Sequence, residues 1–166
     1  MFMTLVSRLT TLTVVLSMST LSTARAGAPD ACKFLTTAAV AAALGKPVTG
    51  GTISVVDHAG ASASSCTYLA GAIMVLLSVD ERGTPAEAAK EFNTQLDNSR
   101  SRDQDEQKTV MEAGIGERAF SDDMANGSVR GITALHGSRL FTLGIVNAGP
   151  VPHERVRSLM QTALGG

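Results

Sequence analysis

The sequence predicts an α+β fold: a mostly antiparallel sheet of about six strands with three helices packed on it, in the order α-β-β-β-α-β-β-β-α. Three observations carry this. Residues 64–70 with 72–80, and 128–136 with 139–147, are strand-like runs joined by the short turns Ala70-Gly71 and Gly137-Ser138. Connections that short make antiparallel hairpins. Thr84-Pro85-Ala86-Glu87 combines an N-cap hydroxyl, a proline at the first helical position and a glutamate placed for a capping box. Val156, Leu159, Met160 and Ala163 recur at helical spacing and define the buried stripe of a last helix.

The N-terminus differs in composition from the rest. Arg8 is followed by the uncharged run LTTLTVVLSMSTLS and then by Ala24-Arg25-Ala26, a small-x-small cleavage site. This is the layout of a secretory signal peptide, residues 1–26, leaving residues 27–166 as one α+β domain. A transmembrane anchor fits less well, because the run is short of the roughly 20 apolar residues a span needs and is diluted by Thr and Ser. Removing Arg8 and Arg25 leaves 12 basic against 15 acidic residues, a net charge of −3. That balance lacks the basic field of a nucleic-acid binder. No later apolar run is long enough to cross a bilayer; the longest, LAGAIMVLLSV, suits a buried strand.

Cys32 and Cys66 are the two cysteines. Lipid attachment at Cys32 conflicts with Asp30 just before it and with the earlier cleavage site. Metal binding lacks a C-x-x-C or H-x-x-x-H partner set, since His58, His136 and His153 are scattered. A reactive thiol would use Lys33 and the helix start that follows. In an exported chain, a Cys32–Cys66 disulfide is the natural pairing.

Along the chain, Thr36-Thr37 and the run AAVAAALG form a short helix with Val40 and Leu44 buried, stopped by Gly45 and Pro47. Residues 53–57 are β-branched and form a strand. IMVLLSV is apolar on both faces and belongs in the centre of a sheet. The helix from Pro85 buries Ala89, Phe92 and Leu96, then fades into the charged run 97–108, a solvated helix end plus loop. Gly114-Ile115-Gly116 turns into a short strand, 117–121, and a polar turn, 122–127. TYLAGAIMVLLSV and TALHGSRLFTLGI align as a ββα pseudo-repeat, matching Leu77 with Leu143 and Gly71 with Gly137.

Asp30-Ala31-Cys32 with Leu35-Thr36, Cys66-Thr67-Tyr68 and Gly114-Ile115-Gly116-Glu117-Arg118-Ala119 resemble a class of small bacterial exported proteins and lipoproteins. That class has a D-x-C-x-x-L-(S/T) entry, a Cys-Thr-Tyr-like strand and a G-(L/I)-G-(D/E)-x-A turn. The resemblance implies an exported α+β domain and no particular activity.

Candidate chemistry is thin. Asp57, His58, Ser64 and Ser65 name the residue types of a hydrolase triad without the G-x-S-x-G elbow that exposes a nucleophile. His136 lies at a hairpin tip and His153 in a first helical turn, where either faces solvent or a ligand. Glu112 and Glu117 are candidate paired carboxylates. Met74, Met111, Met124 and Met160 are too dispersed for a copper cluster, and Gly114-x-Gly116 leads into a strand rather than a phosphate-cradling helix. The expectation is a non-catalytic periplasmic or secreted binding protein without a cofactor, of the inhibitor or immunity type. Its partner would be another envelope protein or a small apolar ligand. The alternative is a small secreted hydrolase assembled from His58, Ser64 and His136.

Overall fold

The computed structural model describes residues 28–58, 61–103, 107–146 and 151–165. The expected signal segment, residues 1–26, and the Gly149-Pro150 lead into the last helix lie outside the described residues. Asp30 opens the fold by capping the one-turn helix α1 (Ala31–Phe34), its carboxylate accepting from the Cys32 N–H at 3.1 Å. Thr36 then caps α2 (Thr37–Leu44) by accepting from the Ala39 N–H at 3.2 Å, and Gly45 closes it on the Ala41 carbonyl. Val40 and Leu44 form the buried stripe of α2.

Three strands follow, β1 (Thr49–His58), β2 (Ala61–Ala70) and β3 (Ile73–Arg82). The helix α3 (Pro85–Arg100) starts where the capping signal places it. The Thr84 hydroxyl accepts from the Glu87 N–H at 3.2 Å and donates to the Glu87 carboxylate at 3.1 Å. Its buried stripe runs Ala88, Phe92, Leu96, Ser99, so Ala88 rather than Ala89 is the fully buried alanine. Four strands come next: β4 (Gln107–Glu112), β5 (Arg118–Met124), β6 (Val129–His136) and β7 (Arg139–Val146). The last helix, α4 (His153–Leu164), buries Val156, Leu159, Met160 and Ala163.

The strands form one antiparallel sheet in the order β1-β2-β3-β7-β6-β5-β4. The described residues therefore hold seven strands and four helices, where the sequence suggests about six and three. The additional strand, β4, lies in and beyond the charged run. It is a half-exposed edge strand with no clean alternation of apolar residues to announce it. The additional helix, α1, is a single turn, too short to show a period.

β3 and β7 meet at the centre, and their register carries the repeat. Leu77 and Leu143, aligned in the two copies, are cross-strand partners, flanked by Met74↔Val146 and Asp80↔Leu140. The two hairpins are thus related by a local two-fold axis normal to the sheet. Both turn on a glycine in the left-handed region, Gly71 at φ 64° and Gly137 at φ 60°, a conformation that costs a residue with a Cβ. The symmetry stops at the helices. Phe141, Leu143 and Ile145 of β7 pack with α1, α2 and α4, whereas Leu140, on the opposite face, packs with Phe92 and Leu96 of α3. The helices divide between the two faces, so the ββα repeat is a repeat of hairpins only.

A disulfide between Cys32 and Cys66, 34 residues apart, ties α1 to β2. Beside it Tyr68 is buried, and its hydroxyl donates to the Leu35 carbonyl. Burial, with a smaller contribution from the negative charge of Asp30, pushes the Tyr68 phenol up to about 12. The D-x-C-x-x-L-T entry thus has a structural use at each fixed position: two caps, a staple, and a buried leucine whose carbonyl holds the tyrosine.

Candidate functional site

Two regions of the sheet combine exposure or polarity with an organised setting. The first is the open half of the face that carries α3. Because side chains alternate along a strand, Thr67 and Leu69 of β2, Met74, Leu76 and Ser78 of β3, and Thr142 and Val146 of β7 share this face. α3 lies over its other half, packing on Phe120, Leu135 and Leu140. Leu69 and Val146 are each 44% exposed although they stand in regular strands. They flank Met74 in one cross-strand row, Leu69–Met74–Val146. In the next row Leu76 faces Gly144, which in turn pairs with Gly131, so that row carries an aliphatic side chain and then two positions without one. The result is a shallow aliphatic strip bordered by Thr and Ser.

The second region is a polar cluster where α4 meets the β4–β5 edge. Glu112 ends β4 with its side chain only 4% exposed. Its Oε1 lies 2.6 Å from His153 Nε2 and 2.8 Å from the Ser121 hydroxyl; its Oε2 accepts from Arg157 Nη1 at 2.8 Å. Ser121 Oγ is also 2.7 Å from Asp123 Oδ1. Arg157 further donates to the Ala113 carbonyl, fastening α4 to the end of β4. The local geometry follows from two short spacings. Ser121 and Asp123 are two apart on a strand and share a face, and His153 and Arg157 are four apart on a helix.

The cluster is not arranged as a hydrolase. Ser121 is fully buried and meets carboxylates rather than the imidazole, so no base is placed to activate it against a substrate. The sequence-derived alternative fares no better. Ser64 is buried, donates to the Pro29 carbonyl and accepts from the Ala31 N–H at 3.0 Å, which makes it a clamp on the N-terminal segment. It lies on β2 and His136 on β6, with β3 and β7 between them. Three strand spacings put the two at least ~14 Å apart. His58 is placed through its backbone in β1, paired with Ala61, and Ser65 pairs with Ser54 and Ser78.

Of the other candidates, Glu112 and His153 are brought together, and Glu112 and Glu117 serve different contacts. Glu117 accepts from the Gly137 N–H at 2.7 Å and lines a cleft of about 370 Å³ with His136, Gln161 and Leu164. Gly116 borders that cleft at φ 55°, where a Cβ would meet the Leu135 carbonyl oxygen at 2.5 Å. The four methionines fall on β3, β4, β5 and α4, with Met160 buried. Sequence reasoning missed Ser121, Asp123 and Arg157 as members of the cluster. Their i, i+2 and i, i+4 spacings were visible, but the contact across elements was not.

No family model matches the chain, and no curated protein matches it in sequence. Its architecture is similar to the crystal structure of the extracellular domain of PknH from Mycobacterium tuberculosis, with a TM-score of 0.60 at 8% identity. The match covers 84% of this chain and 96% of that one. The likeness is one of fold. Among the described residues no helix is long and apolar enough to cross a membrane.

Proposed function

We propose that the chain is a non-catalytic exported binding domain, residues 27–166 after loss of a signal peptide, that works in the periplasm or outside the cell. Its open sheet half receives a partner protein of the envelope. The single observation behind this reading is the aliphatic strip of Leu69, Met74, Leu76 and Val146 on the half of the α3-bearing face that, among the described residues, no helix covers. Apolar groups gathered on an exposed face mark interaction surfaces more often than isolated ones do. The shallow form of the strip suits a protein segment better than a small ligand, which is normally enclosed in a concave pocket. The Cys32–Cys66 bond agrees with an oxidising compartment, and the fold neighbour is an extracellular domain. An inhibitor or immunity-type partner is a narrower form of the same proposal.

The test compares the wild type with a Leu69→Lys/Val146→Lys double variant in cells, using in vivo cross-linking and mass spectrometry. A partner captured by the wild type and lost from the equally stable variant supports the open face as the binding surface. A partner retained by the variant, or esterase or peptidase activity in the purified wild type, overturns the reading.

A further inference from the structure

We infer that Glu112, Asp123 and His153 form a binding site for a zinc-type divalent cation, independent of the open sheet face. A carboxylate oxygen of Glu112, one of Asp123 and a ring nitrogen of His153 come from the end of β4, the end of β5 and the start of α4, and lie within 4.8 Å of one another. Two carboxylates and an imidazole are a donor set that suits zinc-type ions, whereas calcium and magnesium sites use oxygen alone. Tetrahedral ligands about 2.0–2.2 Å from zinc stand roughly 3.3–3.6 Å from each other. The 2.6 Å between His153 Nε2 and Glu112 Oε1 therefore has to widen by under about 1 Å, which a rotation of the partly exposed imidazole accomplishes.

The surroundings favour an ion at this point. Arg157 occupies Glu112 Oε2 and leaves Oε1 directed at Ser121 and His153. The Ser121 hydroxyl has one proton for two neighbouring carboxylate oxygens, Glu112 Oε1 and Asp123 Oδ1. A cation held by both carboxylates removes the repulsion of the contact that lacks a proton. Lys108, directly across the strand pair from Asp123, and Arg157 are the positive groups facing the cluster. They reduce the net negative charge, so binding is moderate rather than tight. Asp123 also borders a cleft of about 280 Å³ with Gln107, Lys108 and Val110, and the His153 imidazole is itself partly exposed. With three protein ligands, a fourth position stays open to water or to a group on a partner.

The test uses tag-free, chelator-stripped mature protein titrated with Zn²⁺ by calorimetry and with Co²⁺ by visible absorption. The expected result is one equivalent of Zn²⁺ per chain, the strong visible bands of four-coordinate Co²⁺, and a rise in Tm with added Zn²⁺. His153→Ala and Asp123→Asn should each weaken binding by at least about tenfold, and His136→Ala should leave it unchanged. Both altered side chains are only partly buried, and the far-ultraviolet circular dichroism of each variant reports whether it is folded. If one fails to fold, the other carries the comparison. Absence of saturable binding up to about 1 mM Zn²⁺, or binding that persists in the folded variant, overturns the inference. Binding that follows His136 instead does the same.

Discussion

The two faces of this sheet are built from the same strands and have opposite characters. On one, Val75, Leu77, Val79, Phe141, Leu143 and Ile145 lie under α1, α2 and α4. On the other, α3 covers Phe120, Leu135 and Leu140 and stops short of Leu69, Met74, Leu76 and Val146. One residue's shift along β7, from Phe141 to Leu140 or from Ile145 to Val146, crosses from one core to another environment entirely. Apolar residues in this chain therefore serve two purposes. Those packed beneath α1, α2 and α4 hold the fold; those on the open strip contribute little to it.

Mutations on the two faces should separate widely. Phe141→Ala removes a buried ring that meets Phe34 edge-on, with centroids 5.2 Å apart, and should cost about 3–5 kcal/mol in urea unfolding. Leu69→Ala, measured in the same way, should cost about 1 kcal/mol or less, and equal losses would erase the distinction. Next in size is the staple on the covered side. Cys32→Ser opens a loop of 34 residues and should cost about 3–4 kcal/mol, as should reductant added to the wild type but not to the variant.

Tyr68 gives a smaller, pH-dependent effect on the covered face. Its folded-state pKa, about 12, lies above its ordinary value of 10.0, so its contribution is complete below pH 10 and is lost as pH rises from 10 towards 12. Tyr68 is the chain's one tyrosine, so tyrosinate absorbance reports this titration directly. Tyr68→Phe should cost about 1 kcal/mol at neutral pH and remove this part of the alkaline loss; an unchanged pH profile would refute the assignment. On the open face, Leu69→Lys/Val146→Lys, whose lysine stems keep part of the lost apolar contact, should cost about 1 kcal/mol or less, as read from Tm, which lets it serve as a binding variant.

Local chemistry was legible in the sequence wherever a single turn or cap settles it. Thr36, Thr84 and Glu87 cap the helices that the pattern placed there, and Gly71 and Gly137 turn the two hairpins. The repeat of Leu77 and Leu143 gave the matched hairpins but not the faces to which α3 and α4 attach. That choice is made by Phe92 finding Phe120, 5.4 Å between centroids, a contact with no local signature. β4 was hidden for a related reason: its Val110 and Met111 are both exposed, so no alternation marks it. The polar cluster was half visible. Glu112 and His153 stood out singly, yet they are 41 residues apart, and only the docking of α4 on the sheet edge makes them neighbours.

The pairing of β3 with β7 also sets an order in time. Leu77 must wait for Leu143 before the centre of the sheet exists, and every pair along that seam is of comparably long range. Loop closure over such separations slows folding, and the waiting edge is an apolar strand, Ile73–Arg82, with the hydrogen-bonding groups on its β7 side unpaired. The disulfide joins residues that both precede this edge, so it can close before β7 pairs with β3. Among the described residues, no strand of the N-terminal half pairs with that edge in the meantime. A chain built this way depends, between synthesis and completion, on a chaperone or on speed to keep β3 from pairing with the wrong strand.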